Sequence, residues 1–359
     1  MTEVKIILAE AIEKGASDVH INVGMPPIIR TNTELIEMDF PVVTDSEAQK
    51  MVLAMVGQER FSKLQEGRDL DFSTMLDDGN RFRVNAHYQR ETIGISFRVI
   101  PNLIPSLDEL NLPPIVKELT DLPRGLILVT GHTGSGKSTT LAAMIGVINQ
   151  KYRKRIVTLE DPIEYLLENK NCMIEQREIG SDCPTFASGL RHVLRQDPDI
   201  IMVGEMRDLE TTSSTITAAE TGHLVFSTLH TINASQTVER IIDIYPGSQQ
   251  NQIRTMLANT LQAVVSQTLF RRVDEAGMIP CTEILLCTSA VRNCIRENRI
   301  FEIPNVIETS RRLGMHNMDS SIVEMHSKGY VDTEEAITRS SNPGKMEKDL
   351  AAQRVGAGR

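Results

Sequence analysis

Tryptophan is absent from this 359-residue chain, and aromatic residues make up only 4% of it. The core must therefore be filled by aliphatic side chains and the 16 methionines. Basic residues are not in excess: 38 Lys plus Arg against 48 Asp plus Glu leave a net charge of −10. That argues against a protein that works mainly by coating nucleic acid or anionic lipid. No apolar run approaches the roughly 18 residues of a membrane span. The N-terminus has neither a basic region nor a small-residue cleavage site, so a signal peptide is not expected. Val4, Leu8, Ala11 and Ile12 instead mark an amphipathic helix. The five cysteines, at 172, 183, 281, 287 and 294, show no CxxC pair, and this spacing is not that of a zinc site. An odd number without close pairing fits free thiols in a reducing cytoplasm.

The length suggests two domains. Five of the 15 prolines fall between Pro101 and Pro123, which reads as a linker with one or two helical turns. The expected organisation is an N-terminal α+β domain over 1–100, the linker over 101–123, an α/β domain over 124–340 and a flexible tail over 341–359. In the first domain, Asp77-Asp78-Gly79 is a hairpin turn signal. In the strand after it, Phe82, Val84, Ala86 and Tyr88 share one face, and Arg81, Arg83, Asn85 and His87 the other. Helices are expected over 45–56 and 58–65, and one long helical pattern over 249–270.

The chemistry centres on Gly131-His132-Thr133-Gly134-Ser135-Gly136-Lys137-Ser138, a full G-x-x-x-x-G-K-[ST] match. It follows an apolar strand, Leu126–Thr130, and precedes a helical pattern, as a phosphate-binding loop requires. Glycines let successive N–H groups turn inward, and the helix N-terminus adds positive charge. Lys137 is placed to bridge the β- and γ-phosphates of ATP, Ser138 to ligate Mg²⁺, and Thr139 to contact the α-phosphate. Two further strands end in carboxylates. One leads into Glu160-Asp161. The other, Ile200–Val203 followed by Gly204-Glu205, resembles a Walker B strand with Glu for Asp. A third, Leu224–Thr228, runs into His230, which is suited to reading a γ-phosphate. His20, His87, His192, His316 and His326 are read as structural.

GHTGSGKST, RIVTLEDPIEY, DPDIIMVGEMRD and TGHLVFSTLHT in this order resemble the secretion-type ATPases of type II secretion and type IV pilus systems. The likeness spans Gly15 to about Lys328. Residues 290–297, AVRNCIRE, are similar to the AIRNLIRE signature of the retraction branch, with Val for Ile and Cys for Leu. The extension and secretion relatives usually carry a tetracysteine zinc insertion that this chain lacks. The resemblance implies a homohexameric ring of two-domain subunits, PAS-like then RecA-like, that hydrolyses ATP with Mg²⁺ to power pilus retraction. Its partner would be an inner-membrane platform protein, with the ring cytoplasmic and peripheral to the membrane. Of the carboxylates, Glu205 is the first choice to position water, with Glu160 and Asp161 as alternatives for metal or water. Arg81 and Arg83 best match the N-domain arginines, and Arg98 less well. The competing readings are an extension or secretion ATPase of the same class and a slow nucleotide-switched regulator. On the helix expected over 289–299, Arg292, Arg296 and Arg299 would share one face beside an apolar stripe of Ala290, Val291, Cys294 and Ile295.

Overall fold

A computed structural model describes residues 3–31, 34–100 and 103–356. The chain divides into two compact units, Met1–Leu103 with Pro162–Leu166, and Ile104–Asp161 with Leu167–Arg359.

The first unit is built on strands β1 (Asp18–Asn22), β2 (Ile28–Thr31), β3 (Glu34–Glu37), β4 (Asp69–Met75), β5 (Arg81–Gln89) and β6 (Thr92–Ile100). They form an antiparallel sheet in the order β3-β2-β1-β6-β5-β4. Phe72, Phe82, Val84, Ala86, Ile95 and Phe97 point from it into one core, where helix Glu3–Glu13 buries Val4, Ile7, Leu8 and Ala11. Helix Asp45–Gly67 starts at a capping box, with Thr44 and Glu47 satisfying each other's backbone N–H groups. The break expected between its halves is present at Gly57, whose φ of 74° and ψ of 172° interrupt the helical backbone.

The second unit contains β7 (Gly125–Thr130), β8 (Arg155–Glu160), β9 (Met173–Glu178), β10 (Ile200–Val203), β11 (Leu224–Leu229), β12 (Leu261–Arg271) and β13 (Met278–Leu286). Their order is β13-β12-β7-β11-β10-β8-β9, parallel throughout except for the edge strand β13. Both faces are covered. Leu126 and Leu128 of β7 enter one apolar cluster, and Ile127 and Val129 enter another. That period of two explains why β7, β10 and β11 are buried along their whole length.

Four expectations need correction. The helical pattern over 249–270 is a helix only over Gln250–Thr260 and continues as β12. Ala263 and Val265 pack on one face of the sheet and Val264 on the other, so a strand buried on both sides imitates helical periodicity. The proline-rich stretch has the expected helical turn at Pro114–Leu119, but beyond residue 103 it is part of the second unit rather than a linker. Leu107, Val116 and Leu119 are buried in the core of the second unit, and residues 101–102 lie outside the described residues. The expected tail is helical over Pro343–Gly356, because Met346 and Leu350 pack against Phe270, Ile279 and Ile322. The helix at Ser289 stops at Arg296 rather than 299. Asn298 turns left-handed at φ 58°, and the Arg299 N–H closes back onto the Cys294 carbonyl. Arg299 therefore leaves the helix face that Arg292 and Arg296 share. Ala290 is exposed, and only Val291, Cys294 and Ile295 form the buried stripe.

Candidate nucleotide-binding site

Strand β7 ends at Thr130, and the chain enters helix Lys137–Lys151 through Gly131–Gly136. Gly131, Gly134 and Gly136 have φ of 145°, 77° and 85°, conformations that side chains resist. Two of them are also confined by β12. A Cβ on Gly131 would lie 2.2 Å from the Gln267 carbonyl oxygen, and one on Gly136 would lie 2.7 Å from Gln267 Nε2. Lys137 is 9% exposed, and its ammonium donates to the carbonyl oxygens of Gly131 at 2.8 Å and His132 at 2.9 Å. It thus lies folded along the loop whose phosphates it would bridge. Ser135 Oγ is buried without a hydrogen-bond partner among the described residues, and Ser138 and Thr139 are half-buried on the first helical turn.

Parallel pairing puts the carboxyl ends of β7, β11, β10 and β8 side by side. The loop after β7, His230 after β11, Glu205 after β10 and Glu160-Asp161 after β8 therefore line one edge. Glu205 and His230 meet directly, with Glu205 Oε1 3.0 Å from His230 Nε2. The other carboxylate oxygen of Glu205 accepts from Arg207 at 2.8 Å. Burial alone would push the Glu205 carboxyl up. The Arg207 hydrogen bond and the charges of His230 and Arg207 outweigh it and hold the carboxyl below its ordinary value. The strand ends are cross-tied: Thr228 Oγ1 donates to the Gly204 carbonyl at 2.6 Å, and the Met206 N–H donates to the Thr228 carbonyl.

Glu160 has a different setting. It is 8% exposed, and its Oε1 accepts from Thr158 Oγ1 at 2.7 Å and Gln176 Nε2 at 3.0 Å. Its neighbour Asp161 is exposed and helps to hold Arg207 in its charged form. Arg81 and Arg83 belong to the first unit. The two side chains do not share a solvated face: Arg81 is 6% exposed and donates to Ser73 Oγ and the Ile163 carbonyl, whereas Arg83 is exposed and opposite Arg98. Arg292, expected to share a helix face with Arg296 and Arg299, donates to the Ala258 carbonyl in the last turn of helix Gln250–Thr260 and to Gln262 Oε1.

Sequence reasoning missed Arg207 and Gln267. Arg207 lies two residues after a singled-out carboxylate, a spacing that would have been a fair signal. Gln267 sits inside a run misread as helix, and no local pattern marks it.

A family model described as Type II/IV secretion system protein matches residues 106–342. The type IV pilus retraction ATPase PilT of Pseudomonas aeruginosa is 41% identical over 337 residues, which is 94% of this chain and 98% of that protein. A twitching motility protein of Neisseria gonorrhoeae is 43% identical over 320 residues, 89% of this chain and 86% of its own. A crystal structure of the pilus retraction motor PilT with bound ADP superposes with a TM-score of 0.89 at 41% identity, covering 97% of this chain and all of that one.

Proposed function

The chain belongs to the Type II/IV secretion system protein family, and from that premise we propose that it is an ATP-hydrolysing motor that powers retraction of a type IV pilus. Its second unit has the RecA-like ATPase fold of that family, and its first is the smaller N-terminal domain. The observation that carries the reading is the shared strand edge, where a complete phosphate-binding loop stands beside an ionised Glu205 already in contact with His230. Similarity to named retraction motors over almost the whole chain supports the direction of work.

In this reading the loop N–H groups and the N-terminus of helix Lys137–Lys151 hold the phosphates of ATP, and Lys137 leaves its two carbonyl partners to meet the β- and γ-oxygens. Glu205 orients the attacking water, and His230 senses the γ-phosphate and shares a hydrogen bond with Glu205. The donors at this edge, the Ser138 hydroxyl and the Glu205 and Asp161 carboxylates, are hard oxygens of the kind Mg²⁺ takes. Held there, that ion would supply positive charge to offset the charge that develops on the transferring phosphate. Glu160 is assigned to the frame of the site, since it is buried and its Oε1 already accepts from Thr158 and Gln176. Exposed Arg83 suits the arginine role better than Arg81, whose guanidinium is buried against Ser73 and Ile163.

We assign the chain to a homohexamer that acts on an inner-membrane platform protein from the cytoplasmic side. No helix among the described residues is long and apolar enough to cross a membrane. A deletion strain separates retraction from extension. Hyperpiliated, non-twitching cells are expected, and bald cells would overturn the assignment.

A further inference from the structure

Gln267 is buried on β12, 3% exposed, and an amide so placed must have its donor and acceptor satisfied inside the protein. Both are. Nε2 donates to the Ser135 carbonyl at 2.7 Å, and Oε1 accepts from Thr140 Oγ1 at 2.9 Å. Ser135 lies in the phosphate-binding turn, and Thr140, 1% exposed, lies on the first turn of the helix that follows. One side chain therefore grips the loop on both sides of Lys137. The close approach of Gln267 to the Cβ positions of Gly131 and Gly136 belongs to the same packing. Two of the motif's glycines are required by a strand about 130 residues further on, as well as by phosphate.

We propose that Gln267 is a positioning residue for nucleotide binding: its amide clamps Ser135 and Thr140 and so holds the loop in the shape that receives the phosphates. The clamp acts through the loop and touches no phosphate itself. Its rigid backing is the sheet, since β12 pairs with β7 on one side and β13 on the other. Without the clamp, the Ser135 carbonyl and the Thr140 hydroxyl lose a buried partner, and the loop must be ordered by the nucleotide at the expense of affinity.

This inference rests on the reading that the loop binds nucleotide, so the test uses a fluorescent ADP analogue titrated into the assembled wild-type protein and its variants. Gln267→Ala is expected to weaken binding about tenfold, equal to about 1.4 kcal/mol, at a temperature well below its unfolding transition. In steady-state hydrolysis the KM for ATP should rise by a similar factor while kcat changes little. Thr140→Val should weaken binding in the same direction, Thr140→Ser should restore it, and the double variant should be no weaker than Gln267→Ala alone. Should Gln267→Ala fail to fold, the Thr140 pair carries the test. Unchanged affinity in both Gln267→Ala and Thr140→Val, or effects that simply add, would overturn the clamp and leave Gln267 a residue of the fold only. A wild-type protein that bound no nucleotide would overturn the reading beneath it as well.

Discussion

Replacing Glu205 by Gln should stop the chemical step while leaving the protein folded and able to bind ATP. The structure sets both halves of that expectation. Glu205 is held by Arg207 and His230, whose side chains are 73% and 41% exposed. Polar contacts so open to solvent contribute about 0–1 kcal/mol to folding, so the melting temperature should move by only a few degrees. The amide keeps the size of the carboxylate but cannot draw a proton from water. Loss of a positioned acid–base group costs ~10²–10⁴ in rate, or about 3–5 kcal/mol of barrier. The assay is phosphate release at saturating ATP, run beside a binding titration. The carboxyl lies below its ordinary value, so its ion pair with Arg207 contributes to stability above the unfolded glutamate value of about 4.3 and is lost as pH falls through the lower folded value. The wild-type rate should therefore show no loss from Glu205 protonation between about pH 6 and 8. A kcat within tenfold of wild type would refute the role of Glu205. Equal loss of binding and turnover would reassign it to holding the nucleotide.

Lys137→Ala should abolish hydrolysis in the purified protein with circular dichroism unchanged, because it removes the cation of the loop and its ties to Gly131 and His132. Arg292→Ala should destabilise the second unit by about 1–3 kcal/mol in denaturant titration, since a buried helix-end carbonyl loses its partner. Arg296→Ala, at an exposed residue whose guanidinium bonds Asn293 in its own helix, should change stability by less than about 0.5 kcal/mol. Sedimentation with nucleotide should yield a species near six subunits, and full activity from monomer alone would contradict the ring.

The phosphate-binding loop was legible because its function is written in adjacent residues: the turn glycines, the lysine and the flanking strand and helix occupy a single stretch. Glu205 and His230 could be named singly, each at the end of an apolar run, and the parallel sheet brings the two runs side by side. What escaped depends on pairing between distant segments. Gln267 has meaning only against Ser135 and Thr140. Arg292 reads as an ordinary surface residue until helix Gln250–Thr260 supplies the carbonyl it meets. The β12 run was misread for a physical reason, since residues buried on both sides of a sheet leave no polar phase to betray a period of two. Residues 343–356 were misread for another: their composition resembles a tail, and buried Met346 and Leu350 anchor the helix.

All five cysteines lie in the second unit, and all are buried. Burial drives the Cys281 and Cys287 thiols up to about 12 and raises those of Cys183 and Cys294, so these four present no ready thiolate. They are also spread through the interior. Cys172 sits in one apolar cluster with β7 residues Ile127 and Val129, Cys183, Cys287 and Cys294 in the cluster across the sheet, and Cys281 among the C-terminal helices. The chain thus carries its own set of buried clocks. Maleimide added to the native protein reacts only as each region opens, and the order in which these five positions acquire mass ranks the local stabilities of three parts of the motor unit.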